Sequence, residues 1–447
     1  MKRVYRRLLF FLSTVAFLTA APLVILYAIG YRTSLNADPL PVGVVLLEST
    51  PRRAEVVADG QRVGTTPRSI TGLPAGEVEL EVSLAGYQPW RKRIFVEPGR
   101  ATEARDIRLF PENPEVTSLL NDVASFSLSP NRQLAAIADS DRRISVIDLD
   151  GGQVGQVLRL QHRLLNMLWS PTSASVLIED SSGTFYMLAV GSSALPQVVP
   201  QLAGSIEVGW DPRIPGRVLH LTSTGKLSAL NVDSGVEVPV ADDVSSFAVS
   251  SRNVFVVEQN GGVAVYTLQG ALTNGAYRVP EGVVRTLLVT PGGDVAYRML
   301  DGSLWVELSD AGLVQVSAGV LKAGWSPDGR MLYVQPDANS LHVYNVSDER
   351  TMSVPLRQLT LVTRLSREII DPQWFAGGRY LLYQVADEVL ITEIDTRDYA
   401  QTYQVDTTNT GKALPAVGEL GETLLYLKQN GAATDLVEAE LLVGSSN

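Results

Sequence analysis

The feature that most constrains this chain is a short turn that recurs eight times after residue 114. In its fullest form an apolar strand ends in Trp, and Ser-Pro-Asp-Gly follows, as in residues 323–334 (AGWSPDGRMLYV). Successive turns begin 36 to 49 residues apart. A period near 40 in a chain of short strands indicates a repeated array of small sheets. The turns are Leu128-Ser129-Pro130, Trp169-Ser170-Pro171, Trp210-Asp211-Pro212, Val249-Ser250-Ser251, Val289-Thr290-Pro291, Trp325-Ser326-Pro327, Trp374-Phe375-Ala376 and Gly418-Glu419-Leu420.

The residues around each turn predict a β-propeller with one four-stranded sheet in each blade. Hairpin signals separate the second and third strands of several units, at Ser182-Gly183, Thr224-Gly225, Asn260-Gly261 and Asp301-Gly302. Eight turns predict eight blades, and seven is the alternative if the last unit is partial. We expect Glu115 to Leu120 to add an outer strand to the last blade, because such closure removes exposed strand edges.

The Trp-Ser-Pro-Asp-Gly turns resemble the repeats of TolB-type and WD40-like propellers, over about residues 112–447. The seventh and eighth units depart from the pattern. Four tryptophans recur at one place in the repeat, which favours wedges between neighbouring blades over a ligand cage. They are Trp169, Trp210, Trp325 and Trp374.

An uncharged run of 22 residues, Leu8 to Ile29, lies near the start of the chain. At about 1.5 Å per residue, a helix of this length crosses the roughly 30 Å hydrocarbon core of a bilayer. Four basic residues precede the run: Lys2, Arg3, Arg6 and Arg7. The run therefore predicts a single transmembrane helix over 8–29 with residues 1–7 in the cytoplasm and the rest of the chain outside it. A cleaved signal peptide is the alternative, but its apolar region would be shorter.

A small all-strand segment follows a linker predicted over 30–42. Its motifs are Ser49-Thr50-Pro51, Ala54-Glu55-Val56, Asp59-Gly60, Gly64-Thr65-Thr66-Pro67, Leu73-Pro74-Ala75-Gly76 and Gly86-Tyr87. The segment resembles the PEGA domain, although the tetrapeptide that names the family is only partly kept. The resemblance implies a small β-sandwich over 43–111, of a kind usual in extracytoplasmic or envelope proteins, and no catalytic residues. The predicted fold is thus all-β: a PEGA-like β-sandwich and an eight-bladed (alternatively seven-bladed) propeller over 112–447, preceded by one transmembrane helix.

A basic run, Arg91, Lys92 and Arg93, alternates between the two faces of a predicted strand in this segment. Such a run is most often solvated surface, and contact with an anionic partner is the alternative. Nearby, Tyr87 and Trp90 offer a sugar-stacking surface, but packing in the sandwich core is the favoured interpretation.

Composition and motifs give little support to catalysis. The chain has no cysteine, which excludes disulfides and thiolate metal sites. Its net charge is −11, or −15 without the four basic residues at the start, which argues against nucleic-acid binding. Phosphate-loop, nucleophile-elbow and zinc-protease motifs are absent, and no cofactor is predicted. The three histidines, His162, His220 and His342, lack metal-ligand spacing.

Acidic pairs occur at Glu179-Asp180, Asp242-Asp243 and Asp387-Glu388, but neighbours in a strand point to opposite faces. We therefore predict an envelope scaffold that is anchored in the lipid bilayer by residues 8–29 and binds a protein or glycan with its propeller. Two alternatives stay open. One is a hydrolase or lyase with carboxylates or histidines converging on the channel mouth, and the other is a sensor subunit that works through a membrane partner.

Overall fold

The computed structural model describes residues 2–28, 31–34, 37–155, 157–273, 277–347 and 354–442. The chain divides into two compact units. The first unit is Met1–Asn113 with Arg397–Gln401, and the second is Pro114–Thr396 with Thr402–Asn447. Residues 29, 30, 35 and 36, which the sequence assigns to the end of the apolar run and to the linker, lie outside the described residues.

The first unit begins with one helix, α1 (Lys2–Ala28), which contains Pro22. Its apolar side chains are exposed around the helix; Phe10 and Phe11 are 74% and 67% exposed. Among the residues that the structure describes, no helical run is both long enough and apolar enough to span a bilayer. The transmembrane helix predicted over 8–29 is therefore not supported by the structure.

Eight strands form the rest of the first unit. They are β1 (Tyr31–Ser34), β2 (Ala37–Thr50), β3 (Glu55–Ala58), β4 (Gln61–Thr65), β5 (Arg68–Pro74), β6 (Gly76–Ser83), β7 (Trp90–Val96) and β8 (Ala101–Arg108). One sheet has the order β1-β2-β5 with β8 parallel to β2, and the other has the order β4-β3-β6-β7. Strands β1 and β2 occupy most of the range predicted as a linker.

The core of this sandwich follows from strict alternation along its strands. In β7 every second residue is buried, from Trp90 through Ile94 to Val96. Tyr87 and Trp90 are 6% and 1% exposed and belong to the core cluster, as the favoured interpretation predicts. The two strands on either side of Pro98-Gly99 lie in different sheets, because β7 pairs with β6 whereas β8 pairs with β2.

The second unit consists of thirty-two strands in the described residues, together with three short 3-10 turns. The first of these strands in the chain, β9 (Val116–Leu120), belongs to the last sheet. The first sheet contains β10 (Val123–Leu128), β11 (Leu134–Asp139), β12 (Arg143–Asp148), β13 (Gly152–Gln153) and β14 (Leu158–Arg159). The second contains β15 (Leu164–Trp169), β16 (Ser175–Asp180), β17 (Phe185–Ala189) and β18 (Gln197–Val198). The third contains β19 (Ser205–Trp210), β20 (Arg217–Thr222), β21 (Leu227–Asn231) and β22 (Glu237–Ala241).

Five further sheets follow in chain order. The fourth contains β23 (Val244–Val249), β24 (Asn253–Glu258) and β25 (Val263–Thr267). The fifth contains β26 (Val284–Val289), β27 (Val295–Met299), β28 (Leu304–Leu308) and β29 (Gly312–Ser317). The sixth contains β30 (Lys322–Trp325), β31 (Met331–Gln335), β32 (Ser340–Asn345) and β33 (Leu359–Arg364). The seventh contains β34 (Ile370–Trp374), β35 (Tyr380–Val385), β36 (Glu388–Glu393) and β37 (Thr402–Thr407), and the eighth contains β38 (Ala416–Val417), β39 (Thr423–Asn430), β40 (Ala433–Glu440) and β9. The 3-10 turns are Pro200–Leu202, Ala376–Gly378 and Glu419–Gly421.

The hairpin glycines behave as the sequence predicts. Gly183, Gly225, Gly261 and Gly302 all have positive φ angles, between 78° and 89°. A residue with a Cβ is strained in this conformation, whereas glycine is not.

Apolar side chains fill the space between neighbouring sheets. Adjacent residues of β16 point to opposite sides: Ile178 packs towards the first sheet, whereas Leu177 packs towards the third. In β11, Ala136 packs towards the second sheet and Ile137 packs with Leu427 of the eighth. Strand pairing also joins the two ends of the second unit. Its last strand, β40, pairs antiparallel with its first strand in the chain, β9, and matches Leu436 to Leu120. The predicted outer strand over Glu115–Leu120 is confirmed.

Candidate functional site

Each sheet of the second unit begins with an inner strand that ends at one of the repeated turns, and four of these strands end in Trp. Each of the four indole N–H groups donates to a main-chain oxygen of the preceding sheet. The pairs are Trp169 to Ser127 at 2.9 Å, Trp210 to Leu168 at 3.0 Å, Trp325 to Leu288 at 2.9 Å and Trp374 to Gly324 at 2.9 Å. The prediction that these tryptophans are wedges between neighbouring repeats is confirmed.

Other groups form hydrogen bonds at the four junctions without Trp. The Phe247 N–H donates to Oε2 of Glu207 at 3.3 Å, and Oγ of Ser251 donates to the Pro291 oxygen at 2.7 Å. The remaining two bonds run from Nε2 of Gln373 to the Pro415 oxygen and from Nη1 of Arg132 to the Val417 oxygen, both at 2.6 Å. Hydrogen bonds therefore connect all eight pairs of neighbouring sheets, the eighth and first included.

The ends of these inner strands line an open pocket of about 540 Å³, which we call the inner cavity. Its walls come from the first, second, seventh and eighth sheets. They combine apolar surface with a few polar groups. The lining residues are Phe126, Ser127, Leu128, Ser129, Pro130, Arg132, Met167, Leu168, Trp169, Asp371, Gln373, Leu414, Pro415 and Ala416. Its volume lies in the range of ligand pockets.

Charged groups of the inner cavity are held by bonds within the protein. Asp371 accepts from Nζ of Lys322 at 2.6 Å, which links the sixth and seventh sheets. Arg132 is held at the Val417 oxygen. The cavity therefore presents one fixed carboxylate and one fixed guanidinium beside apolar surface, an arrangement suited to binding and orienting a ligand.

The histidines and acidic pairs considered in the sequence form no metal centre among the described residues. Within the described ranges, no group of three or more His, Asp or Glu side chains has the geometry to hold a metal ion. His220 lies in the third sheet and His342 in the sixth, and burial lowers the pKa of both imidazoles. His162 is exposed before the second sheet.

The acidic pair Glu179-Asp180 has a structural explanation. Asp180 is fully buried and accepts hydrogen bonds from the N–H groups of Ser182 and Thr184, at 2.9 and 3.2 Å, within the hairpin. Burial acts to raise the pKa of Asp180, but these hydrogen bonds lower it on balance. Burial raises the pKa of Glu179, the neighbour on the other face.

The basic run of the first unit lies on β7. Lys92 is 1% exposed, whereas Arg91 and Arg93 are exposed on the other face. Arg91 forms an ion pair with Glu81 at 3.1 Å, and this hydrogen-bonded carboxylate raises the pKa of Arg91. Lys92 and Arg93 contact the segment Arg397–Gln401, which belongs to the same unit. Contact of the run with an external partner stays a prediction. Sequence reasoning missed the segment because some 300 residues separate it from β7.

Comparison with known proteins defines the class of each unit. Residues 42–112 match the family model of the PEGA domain, so the first unit contains a PEGA domain. The chain is similar in structure to the C-terminal WD40 domain of Sif2, with a TM-score of 0.54 and 13% identity over 73% of this chain and 99% of that domain. That likeness shows the fold: the second unit is a WD40-like β-propeller.

Two further solved structures are similar at lower scores. The propeller domain of Myceliophteria thermophila Cps50 (Swd1) has a TM-score of 0.46 at 11% identity, over 72% of this chain and 99% of that one. A structure of the eukaryotic initiation factor has a TM-score of 0.49 at 11% identity, over 72% of this chain and 87% of that one. No curated protein matches the chain in sequence.

Proposed function

We propose that this chain is a membrane-tethered scaffold of the cell envelope, whose eight-bladed propeller binds a protein or glycan outside the cytoplasm. The observation that carries the proposal is the inner cavity, with its mixed apolar and polar walls, inside a ring bonded at every junction. A binding surface that is held rigid before the ligand arrives loses little conformational entropy on binding.

The tether is argued from the charge pattern of the sequence and from the exposed apolar surface of α1. The run 8–29 carries no charge, and four basic residues precede it. Large apolar side chains of α1, Leu9, Phe17 and Ile25 among them, are 60–70% exposed. Exposed apolar surface on this scale marks a site of contact with lipid or another protein. The proposed topology puts Lys2 in the cytoplasm and the propeller outside it.

The binding role is supported by the chemistry of the cavity walls. Phe126 and Met167 offer apolar surface, and Asp371 and Arg132 offer charges of opposite sign. Peptides and glycans both present apolar faces beside hydrogen-bonding groups, and aromatic side chains complement such faces. The PEGA domain would then act as a spacer between the tether and the propeller.

The tether can be tested by thiol labelling, because the chain has no cysteine. We would express Asp150→Cys, at an exposed position of the propeller, and Lys2→Cys in whole cells, and add a membrane-impermeant maleimide. We expect the first variant to be labelled in intact spheroplasts and the second only after lysis. Recovery of the chain in the soluble fraction, or the reverse labelling pattern, would overturn the tether.

The binding role can be tested by photo-crosslinking in cells. A photoreactive amino acid replaces Met167, in the cavity wall, or Leu195, which is 76% exposed after β17. We expect a discrete adduct from position 167 that position 195 does not give. If position 167 yields no adduct beyond that of position 195, the inner cavity is not the binding site.

A further inference from the structure

Strand β7 lies at the end of its sheet, in the order β4-β3-β6-β7. An edge strand presents a row of main-chain N–H and C=O groups that another chain segment can pair with. One side of β7 pairs with β6, from Gly76–Val96 to Val82–Trp90. Its other side faces residues 397–401, which follow β36 and precede β37 in the sequence.

Side chains of this segment reproduce the bonds of a neighbouring strand. The Arg91 N–H donates to Oε1 of Gln401 at 3.0 Å, and Nε2 of Gln401 donates to the Pro89 oxygen at 2.7 Å. The amide of Gln401 thus acts as one donor and one acceptor, as a peptide group of a paired strand does. Two residues further along β7, the Arg93 N–H donates to Oδ2 of Asp398 at 3.0 Å.

The segment also accounts for the buried lysine. Nζ of Lys92 donates to the main-chain oxygen of Tyr399 at 2.9 Å and lies 5.9 Å from the centre of the Trp90 ring. A buried ammonium is strongly destabilising unless it is hydrogen-bonded. The carbonyl of Tyr399, in the segment, supplies such a bond. The ring of Trp90, in the sandwich, supplies an aromatic face beside the ammonium.

Two interactions of charged side chains fix the start of the segment. Asp398 pairs with the guanidinium of Arg93 at 3.4 Å. Nη1 of Arg397 donates to the main-chain oxygen of Glu103 in β8 at 2.9 Å. The five residues therefore contact strands of both sheets, and their recognition combines a carboxylate, a side-chain amide and a main-chain carbonyl.

We propose that the outer edge of β7 is a peptide-docking site whose resident occupant is the segment 397–401 of the same chain. This occupant, rather than the sandwich strands alone, keeps Lys92 out of water. The recognition is strand-like, because it satisfies alternate N–H groups of β7, and it selects an acidic residue opposite Arg93. The proposal is independent of the propeller's binding role, since it rests on contacts within the first unit.

Hydrogen exchange on the unmodified full-length chain gives the first test. The amides of Arg91 and Arg93 are the groups that the segment covers. The amide of Phe95, at the next position on the same outer side of β7 by the two-residue period, is the internal control. We expect the first two to exchange at least about tenfold more slowly than Phe95, because exchange from a docked edge requires the segment to leave. Equal rates at the three amides would overturn the proposal.

Thiol labelling gives the second test, again in the full-length cysteine-free chain. We would compare Lys92→Cys with its matched control Arg91→Cys on the exposed face, each alone and combined with Asp398→Ala and Gln401→Ala. We expect the thiol at position 92 to react at least about tenfold more slowly than that at position 91, and to approach the control rate when the two segment side chains are removed.

A third arm separates the segment from a general loss of stability. Asp150→Ala, which removes an exposed acidic residue of the propeller, should change neither labelling rate. A thiol at position 92 that stays unreactive after Asp398→Ala and Gln401→Ala would show that the sandwich buries this position unaided, and would overturn the proposal.

Discussion

Arg132 reaches from the first sheet of the propeller to the main-chain oxygen of Val417 in the eighth, at 2.6 Å from its Nη1 atom. The contact lies at the junction between the first and the last sheet, which is one of the four junctions without a Trp wedge. It adds a side-chain bond at the inner strands to the pairing of β40 with β9 at the outer edge. The ring is thus closed at its inner and outer radius by different residues.

Removing the inner closure should weaken the propeller measurably. We expect Arg132→Ala to lower the free energy of unfolding by about 1–2 kcal/mol, because the Val417 oxygen loses a charge-assisted hydrogen bond. Urea denaturation followed by far-UV circular dichroism measures this change. The control is Arg252→Ala, an exposed arginine in the corresponding turn of the fourth sheet, which should cost less than about 0.5 kcal/mol. Equal costs would show that the closure bond contributes nothing.

A Trp wedge should contribute more to the free energy of unfolding than a Trp elsewhere in a sheet. We expect Trp325→Phe to destabilise the propeller by about 1–3 kcal/mol, because it leaves the Leu288 oxygen without its donor and removes volume between two sheets. Trp305→Phe is the matched control, since the Trp305 indole donates to Ser303 within its own hairpin. The midpoint of denaturant unfolding should fall further for the first variant than for the second, and the opposite order would contradict the wedge.

Gly324 is required by a close neighbour rather than by its backbone conformation. A Cβ at this position would lie 2.6 Å from Cε1 of Tyr333, so the ring must move to admit it. We expect Gly324→Ala to cost about 1–3 kcal/mol from this overpacking. Gly319→Ala is the control, because a Cβ there meets no atom within 4 Å. Thermal unfolding of the two variants tests the difference, and a neutral Gly324→Ala would mean that the ring moves without strain.

Tyr333 predicts a dependence of stability on alkaline pH. Burial, with a smaller effect from the charge of Asp371, raises the pKa of Tyr333 to about 12. An unfolded chain releases a tyrosine proton near pH 10, so the stability from the neutral phenol is complete below about pH 10 and is lost as the pH rises towards 12. The loss from this one group is about 1.4 kcal/mol per pH unit in that window.

The measurement is the free energy of unfolding at pH 9 and at pH 11. We expect it to fall more for the unmodified chain than for Tyr333→Phe, by about 1 kcal/mol over the part of this interval above pH 10. Tyr399→Phe, which removes a hydroxyl from a side chain that is 50% exposed, should follow the unmodified chain. Parallel curves for Tyr333→Phe and the unmodified chain would show that the phenol titrates normally in the folded protein.

Much of the fold could be predicted from local patterns. The Ser-Pro turn, which is fullest at residues 326–329, marks the end of an inner strand at each of its occurrences. Alternation along β7 marks its buried face. The same reasoning placed β9 beside the last sheet. It misplaced the range 30–42 as a linker, because Pro and Asn residues there suggested turns, whereas β1 and β2 pair with each other through that range.

The candidate site was less accessible to such reasoning. The inner cavity joins Phe126 and Met167 of the first two sheets to Asp371 of the seventh, which is far from them in the sequence. Asp371 gives no sequence signal of its position, because its partner Lys322 lies 49 residues away in the sequence. The contact of the segment 397–401 with β7 also had no signal in the sequence, because the segment binds main-chain groups of β7 that nearly every residue possesses.

The sequence by itself determined the period of the repeat, the number of recurring turns, the residues that lie inside each strand and the positions of the tryptophans. These features depend on neighbours within a few residues. Only the tertiary structure decided how the ring is closed by Arg132, what lines the inner cavity, and which segment covers β7. Those features depend on main-chain atoms brought together across long stretches of sequence, and main-chain atoms are the same at nearly every position.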